Sequence, residues 1–134
     1  MLDQLNSLTF KKEERLNSKK VIADIFEKKQ SFKEGPFRIF WMETELKSNY
    51  PAQICISIPK KQIKKAVDRN TLKRRISEAY RKNKSSMYKY FCKKDSQCAI
   101  MLIYLDKNVA TYEFLERKIV LTLERLLAEY EKNC

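Results

Sequence analysis

The apolar positions of the chain recur with two different periods, and the switches between them mark the elements. Leu16-Asn17-Ser18 has the form of a helix entry, with Asn17 or Ser18 as the cap and Leu16 placed to staple onto Val21. Ile22, Ile25 and Phe26 then recur at helical spacing and predict a helix of about three turns. Gly35-Pro36 breaks that pattern. Phe37 to Met42 is dense in β-formers and predicts a strand. Ala52 to Ile58 alternates, with Ile54, Ile56 and Ile58 on one face and Cys55 and Ser57 on the other, and Pro59 ends it. Phe32 is a candidate for an additional edge strand.

From about Val67 to about Lys84 the period returns to that of a helix. At ~100° per residue, Leu72, Ile76, Ala79 and Tyr80 share one arc, and Asn70, Lys73, Arg74, Ser77, Arg81 and Lys84 lie opposite. Asp68 is the candidate N-cap. The next stretch, with Tyr88, Tyr90 and Phe91 among lysines, reads as a loop anchored to the core by aromatics, or else as a second stacking surface. Gln97 to Leu105 is nearly all apolar and predicts a buried central strand. Tyr112 to Tyr130 predicts a final helix with Tyr112, Leu115, Ile119, Leu123, Leu126 and Tyr130 as its stripe. The order helix, two or three strands, helix, strand, helix predicts an α/β fold of the α+β two-layer sandwich type with a mixed sheet. One domain over residues 1–134 is expected, with residues 1–12 mobile.

Composition narrows the function classes. A length of 134 residues suits one domain, and an apolar fraction of 43% can build its core. The longest apolar run, Cys98 to Leu105, falls far short of the ~20 residues that span a membrane. Residues 1–5 lack the basic-then-apolar pattern of a secretory signal, so a cytoplasmic protein without membrane contact is expected. Histidine is absent, which removes the usual general base near neutral pH and any histidine-containing zinc site. Cys55, Cys92, Cys98 and Cys134 form no C-x2-C pair and read as free thiols, with a Cys92–Cys98 redox pair as the alternative. No carboxylate pair stands out, and Asp106 reads as a strand-end turn residue. No catalytic side chain and no metal or cofactor held by protein side chains is expected.

The formal charge of +12 is not spread along the chain. Fourteen basic residues and only two acids, Asp68 and Glu78, lie between Pro59 and Lys94, and the remainder holds fifteen of each sign. A solvated surface helix interleaves both signs. A block of one sign favours a polyanionic partner, and nucleic acid is the first expectation, ahead of an anionic membrane. Within the block, Lys60, Lys61, Lys64 and Lys65 form a lysine-rich loop that leads into the helix. There Arg69 and Asn70 can donate directed hydrogen bonds, and Lys73, Arg74 and Arg81 repeat the cationic face. These nine residues are the candidate nucleic-acid contacts, which the resemblance given next makes RNA contacts.

This segment resembles the protein subunit of bacterial ribonuclease P. That family's signature is a basic loop, a helix carrying A-V-x-R-N-x-x-K-R, and then a Glu, a small residue and an aromatic. Ala66, Val67, Arg69, Asn70, Lys73, Arg74, Glu78, Ala79 and Tyr80 match it at the right spacing. The Arg15-Leu16 pair, the first helix, the strands and the last helix also follow the family's order. The chain departs from the pattern at Thr71 and Ser77, where the family often has Arg, and at Lys64, where many members have Gly; Arg75 or Arg81 could substitute.

The resemblance implies the family's fold, with its left-handed β-α-β crossover. It also implies a role as the protein subunit of an endonuclease that removes the 5′ leader from precursor tRNA. In that family the RNA subunit performs the hydrolysis with magnesium, the Arg-Asn helix binds the catalytic RNA, and a cleft between the sheet and the first helix holds the leader. Ile22, Phe26 and Phe40 stand at leader-cleft positions, where an aromatic can stack on an unpaired base. Core packing competes as a role for Phe26 and Phe40, and since Trp41 points to the other sheet face, one of Phe40 and Trp41 is core. No protein partner is expected. The other reading is a ribosomal-type RNA-binding protein with no linked reaction. A DNA-binding helix module is weaker, because a second helix for a helix-turn-helix is missing.

Overall fold

A computed structural model describes residues 9–133. The described chain opens with a 3-10 turn, Lys12–Glu14, followed by helix α1 (Lys19–Lys28) and strands β1 (Ser31–Glu34), β2 (Phe37–Glu43) and β3 (Ala52–Ser57). Helices α2 (Ala66–Asn83) and α3 (Ser85–Lys93), strand β4 (Cys98–Tyr104) and helix α4 (Tyr112–Lys132) complete it. The strands form one mixed sheet in the order β1-β2-β4-β3. β4 pairs antiparallel with β2 and parallel with β3, so α2 and α3 together form the crossover between two parallel neighbours. As expected from its apolar run, β4 is central. The candidate edge strand around Phe32 is present as β1.

Local chemistry explains the boundaries. The Ser18 hydroxyl accepts the Val21 N–H at 3.2 Å and caps α1. Lys29 closes that helix in the left-handed region, at φ 60°. The β1–β2 turn needs Gly35: its φ is +55°, and a Cβ there would stand 2.8 Å from the Lys118 side chain. Pro59 ends β3, and its carbonyl accepts the N–H groups of Gln62 and Ile63, which shapes the lysine loop. α2 starts one residue earlier than expected. Its N-cap is Lys65, which supplies no side-chain bond, so Asp68 is not the cap but a first-turn residue. Thr111 caps α4 through the Phe114 N–H.

The main core lies on one face of the sheet. Phe32, Ile39, Trp41, Ile54, Ile100 and Leu102 meet Leu72, Ile76 and Tyr80 of α2, Met87, Tyr88 and Phe91 of α3, and Leu115, Ile119 and Tyr130 of α4. The stretch read as a loop is therefore a helix, and Tyr88 and Phe91 are buried in it. Met87, Tyr88 and Phe91 sit at helical spacing, and their burial outweighs the flanking lysines. On the other face, among the described residues, α1 is the helix that covers the sheet, with Leu16, Ile25, Met42, Leu46 and Ala99 as a small second core.

The start of the described chain is tied in. Phe10 packs edge-on against Tyr80, 5.5 Å between ring centres, and the Leu16 N–H donates to Ile54 of the edge strand β3 at 3.0 Å. Of the stretch expected to be mobile, residues 1–8 lie outside the described residues. Lys84 does not continue the cationic face. At the α2–α3 junction it is fully buried, its ammonium donating to the Glu14 carboxylate and to the Thr9 carbonyl. Glu14 also accepts the Tyr88 hydroxyl at 2.6 Å and the Lys11 N–H at 2.7 Å. Desolvation lowers the Lys84 pKa, and the bonds to Glu14 counteract it.

Candidate nucleic-acid interface

The lysine loop and the outer face of α2 form a cationic surface that the described residues do not neutralise. Lys60, Lys61, Lys64, Lys65, Asn70, Lys73 and Arg74 are exposed. None of the lysines nor Arg74 makes an ion pair among the described residues. The helix orients Lys73 and Arg74 because Leu72 and Ile76, buried beneath them, fix its rotation on the sheet.

The arginines divide into two groups. Arg69 turns back on its own loop, donating to the carbonyls of Ile63 at 2.9 Å and Lys64 at 2.8 Å. It braces the loop that presents the lysines. Arg75 donates to the Ala110 carbonyl at 2.7 Å and ties α2 to the turn before α4. Arg81 pairs with Glu78, and that hydrogen bond lowers the Glu78 pKa. Neither Arg75 nor Arg81 therefore offers a free guanidinium in place of the arginines missing at Thr71 and Ser77. Thr71 donates to the Val67 carbonyl within its own helix.

Beside the basic face runs a groove of about 320 Å³ over the edge of β3. Arg15, Leu16 and Asn17 line one side, Lys73, Arg74 and Ser77 the other, and Ile54, Cys55 and Ile56 the floor. Arg15 and Asn17 were not among the candidates. The Arg15 guanidinium lies over the Phe10 ring at 4.9 Å, a cation–aromatic platform that spacing along the chain does not announce. Cys55 joins this groove to the α1 side of the sheet: it stands opposite Met101 and, like Phe40, Met101 and Ile22, packs against the second core. Burial raises its thiol pKa, against a smaller opposite pull from the Lys73 charge.

Phe26 and Phe40 meet edge-on on this side, 4.8 Å between ring centres, and Phe26 is 39% exposed. Trp41 is 3% exposed and packs against Tyr130 in the main core. Of the two neighbours, Trp41 is core and Phe40 stands on the α1 side of the sheet. Ile22 is half-buried beside them. Cys55, Cys92 and Cys98 are free thiols. Cys134 lies outside the described residues. No helix among the described residues is long and apolar enough to cross a membrane.

A mixed sheet with one face sealed, the other half-open, and a helix whose outer cations Lys73 and Arg74 make no ion pair among the described residues defines an RNA-binding α+β domain. The family model for ribonuclease P matches residues 10–130. The ribonuclease P protein component of Chlorobium phaeobacteroides is 32% identical over 126 residues, 86% of this chain and 84% of that one. That of Porphyromonas gingivalis is 27% identical over 116 residues, with the same coverage. Among solved structures, the ribonuclease P protein of Thermotoga maritima superposes with a TM-score of 0.63 at 22% identity, covering 84% of this chain and 96% of that one. The Staphylococcus aureus protein gives 0.59 at 20% identity, with 83% and 94% covered. The chain belongs to the ribonuclease P protein family. It is the protein subunit of that tRNA-processing ribonucleoprotein enzyme and associates with its RNA subunit.

Proposed function

We propose that the lysine loop and the Asn70, Lys73 and Arg74 face of α2 grip the catalytic RNA, while the cleft between α1 and the sheet holds the single-stranded 5′ leader of precursor tRNA. The observation that carries this reading is the adjacency of the two surfaces. Unpaired cations on α2 share the Cys55 floor with a side of the sheet where Phe26 and Phe40 present aromatic edges. Cations bind a folded RNA through its phosphates by releasing counterions. A partly exposed aromatic pair accepts unpaired bases with little regard to sequence. Hydrolysis is left to the RNA subunit and its magnesium ions, and the protein acts in the cytoplasm by positioning. Arg69 works through the loop it braces, and Arg81 sits at the end of the cationic face, already paired.

The test is reconstitution. The chain is mixed with a ribonuclease P RNA and a precursor tRNA at low magnesium, and stimulated cleavage is expected. Lys73→Ala with Arg74→Ala should weaken binding to the RNA subunit and reduce the slope of log affinity against log salt by about 1–2. Tight binding without stimulation, or an unchanged slope in the double variant, would overturn the assignment.

A further inference from the structure

We propose that Lys33 and Arg38 form a phosphate grip at the far side of the cleft, holding leader nucleotides beyond those that meet Phe26 and Phe40. The inference rests on the leader-binding reading and extends it. Both residues lie outside the basic block, in the remainder of the chain, which as a whole carries no net charge.

Register places them together. Lys33 of β1 is directly opposite Arg38 of β2 in the antiparallel ladder. Their neighbours Phe32 and Ile39 are also opposite one another and point into the main core, so Lys33 and Arg38 share the other face, with Phe40. Two like charges directly opposite on one sheet face destabilise it. Neither residue forms an ion pair among the described residues; Glu34, the acid next in sequence to Lys33, is bonded to Arg125. The repulsion is therefore left uncompensated within the described fold, and a bound polyanion would relieve it.

The pair also lies in the right row. Arg38 is opposite Ile103 of β4, and Ile103 is opposite Ser57 of β3, so Lys33, Arg38, Ile103 and Ser57 form one line across all four strands. The line spans about 14 Å at ordinary strand spacing. The small second core under α1 lies further along the strands, at Met42 and Ala99, and Arg38, Ile103 and Ser57 remain partly exposed. One end of the line is the cationic pair. The other is the strand end that leads through Pro59 into the lysine loop. A single strand leaving the α2 surface and passing Phe26 and Phe40 would meet a second cationic point there.

The experiment uses the reconstituted protein–RNA enzyme and precursors with leaders graded from one to about ten nucleotides. In Lys33→Thr with Arg38→Thr, both replacements suit a strand. Affinity for the longest leaders should fall about three- to tenfold, with a smaller loss for the shortest, and the salt slope should fall by about one. The free variant should melt no lower than the wild type, because the repulsion is gone. Unchanged long-leader affinity and salt slope would overturn the grip, as would a lowered melting temperature with equal losses at every length. Phe40→Ala separates the two levels. If it loses leader-length dependence and the threonine variant does not, only the grip fails. If wild-type affinity is itself independent of leader length, the leader reading fails and the grip with it.

Discussion

The two faces of the sheet are finished in opposite ways. Three helices close the side that carries Trp41, Ile54, Ile100 and Leu102, and these side chains are almost fully buried. Among the described residues one helix, α1, crosses the other side, and Phe40, Cys55, Met101 and Ile103 stay partly exposed there. Charge divides by burial and not by face: the buried Lys84 is matched by Glu14, while Lys73 and Arg74 on the outside of α2 and Lys33 and Arg38 on the α1 side make no ion pair among the described residues. A dense core offsets the self-repulsion of a basic domain, and it leaves the outer surface of α2 and part of the α1 side of the sheet exposed among the described residues. Because strand side chains alternate, a single strand carries both roles at successive positions.

Adjacent residues of β2 give the sharpest way to break this comparison. Trp41→Ala should cost about 4 kcal/mol in denaturant unfolding, since it empties the sealed side. Phe40→Ala, one position along, should cost about 1–2 kcal/mol because its ring is only partly buried. Its larger effect should be on binding: precursors with long leaders should weaken more than mature tRNA. Equal stability losses at the two positions would mean that both faces are core.

The buried ion pair tests the charge half of the contrast. Glu14→Gln leaves the Lys84 ammonium desolvated without its counter-charge and should cost about 3 kcal/mol. Glu14→Leu combined with Lys84→Met removes both charges and should recover more than half of that loss, as read from a double-mutant cycle by chemical unfolding. No recovery would show that the bonds to Tyr88 and Thr9, not the charge balance, hold the N-terminal segment.

Much of this was legible in the order of residues, and the gaps have physical reasons. The alternation from Ala52 to Ile58 and the arc of Leu72, Ile76, Ala79 and Tyr80 describe real faces because burial imposes those periods. α3 was hidden because lysines dilute a helical stripe of only three buried residues, Met87, Tyr88 and Phe91. Lys84 falls on the cationic arc by angle alone; its burial depends on Glu14, seventy residues away. Arg69 fits a contact residue by type; that its Nη1 also holds the Ile63 and Lys64 carbonyls and braces the loop needs loop geometry to see. Lys33 and Arg38 become a pair only through strand register, so counting charge by segment passes over them.

The cysteines offer the gentlest probe, with one thiol on each side of the sheet. Alkylation needs the thiolate. Burial pushes Cys98 in the main core up to about 12, and raises Cys55 and Cys92 as well. A raised folded pKa means that the Cys98 contribution to stability is complete below about pH 9 and is lost as pH rises toward 12. Around pH 9, with Cys134→Ser to leave only the described thiols, Cys55 should therefore alkylate faster than Cys98. A precursor with a long leader should slow Cys55 severalfold in the assembled enzyme. Cys92, which borders the hollow at the other end of the strands with Thr44 and Gln97, should keep its rate. Mass spectrometry of the alkylated peptides resolves the three. If Cys98 reacts as fast as Cys55 in the native protein, the sealed side opens on the timescale of the reaction and the contrast between the faces is one of degree. If Cys55 is unaffected by the leader while Lys73→Ala still weakens RNA binding, the nucleic acid stays on α2 and does not cross the sheet.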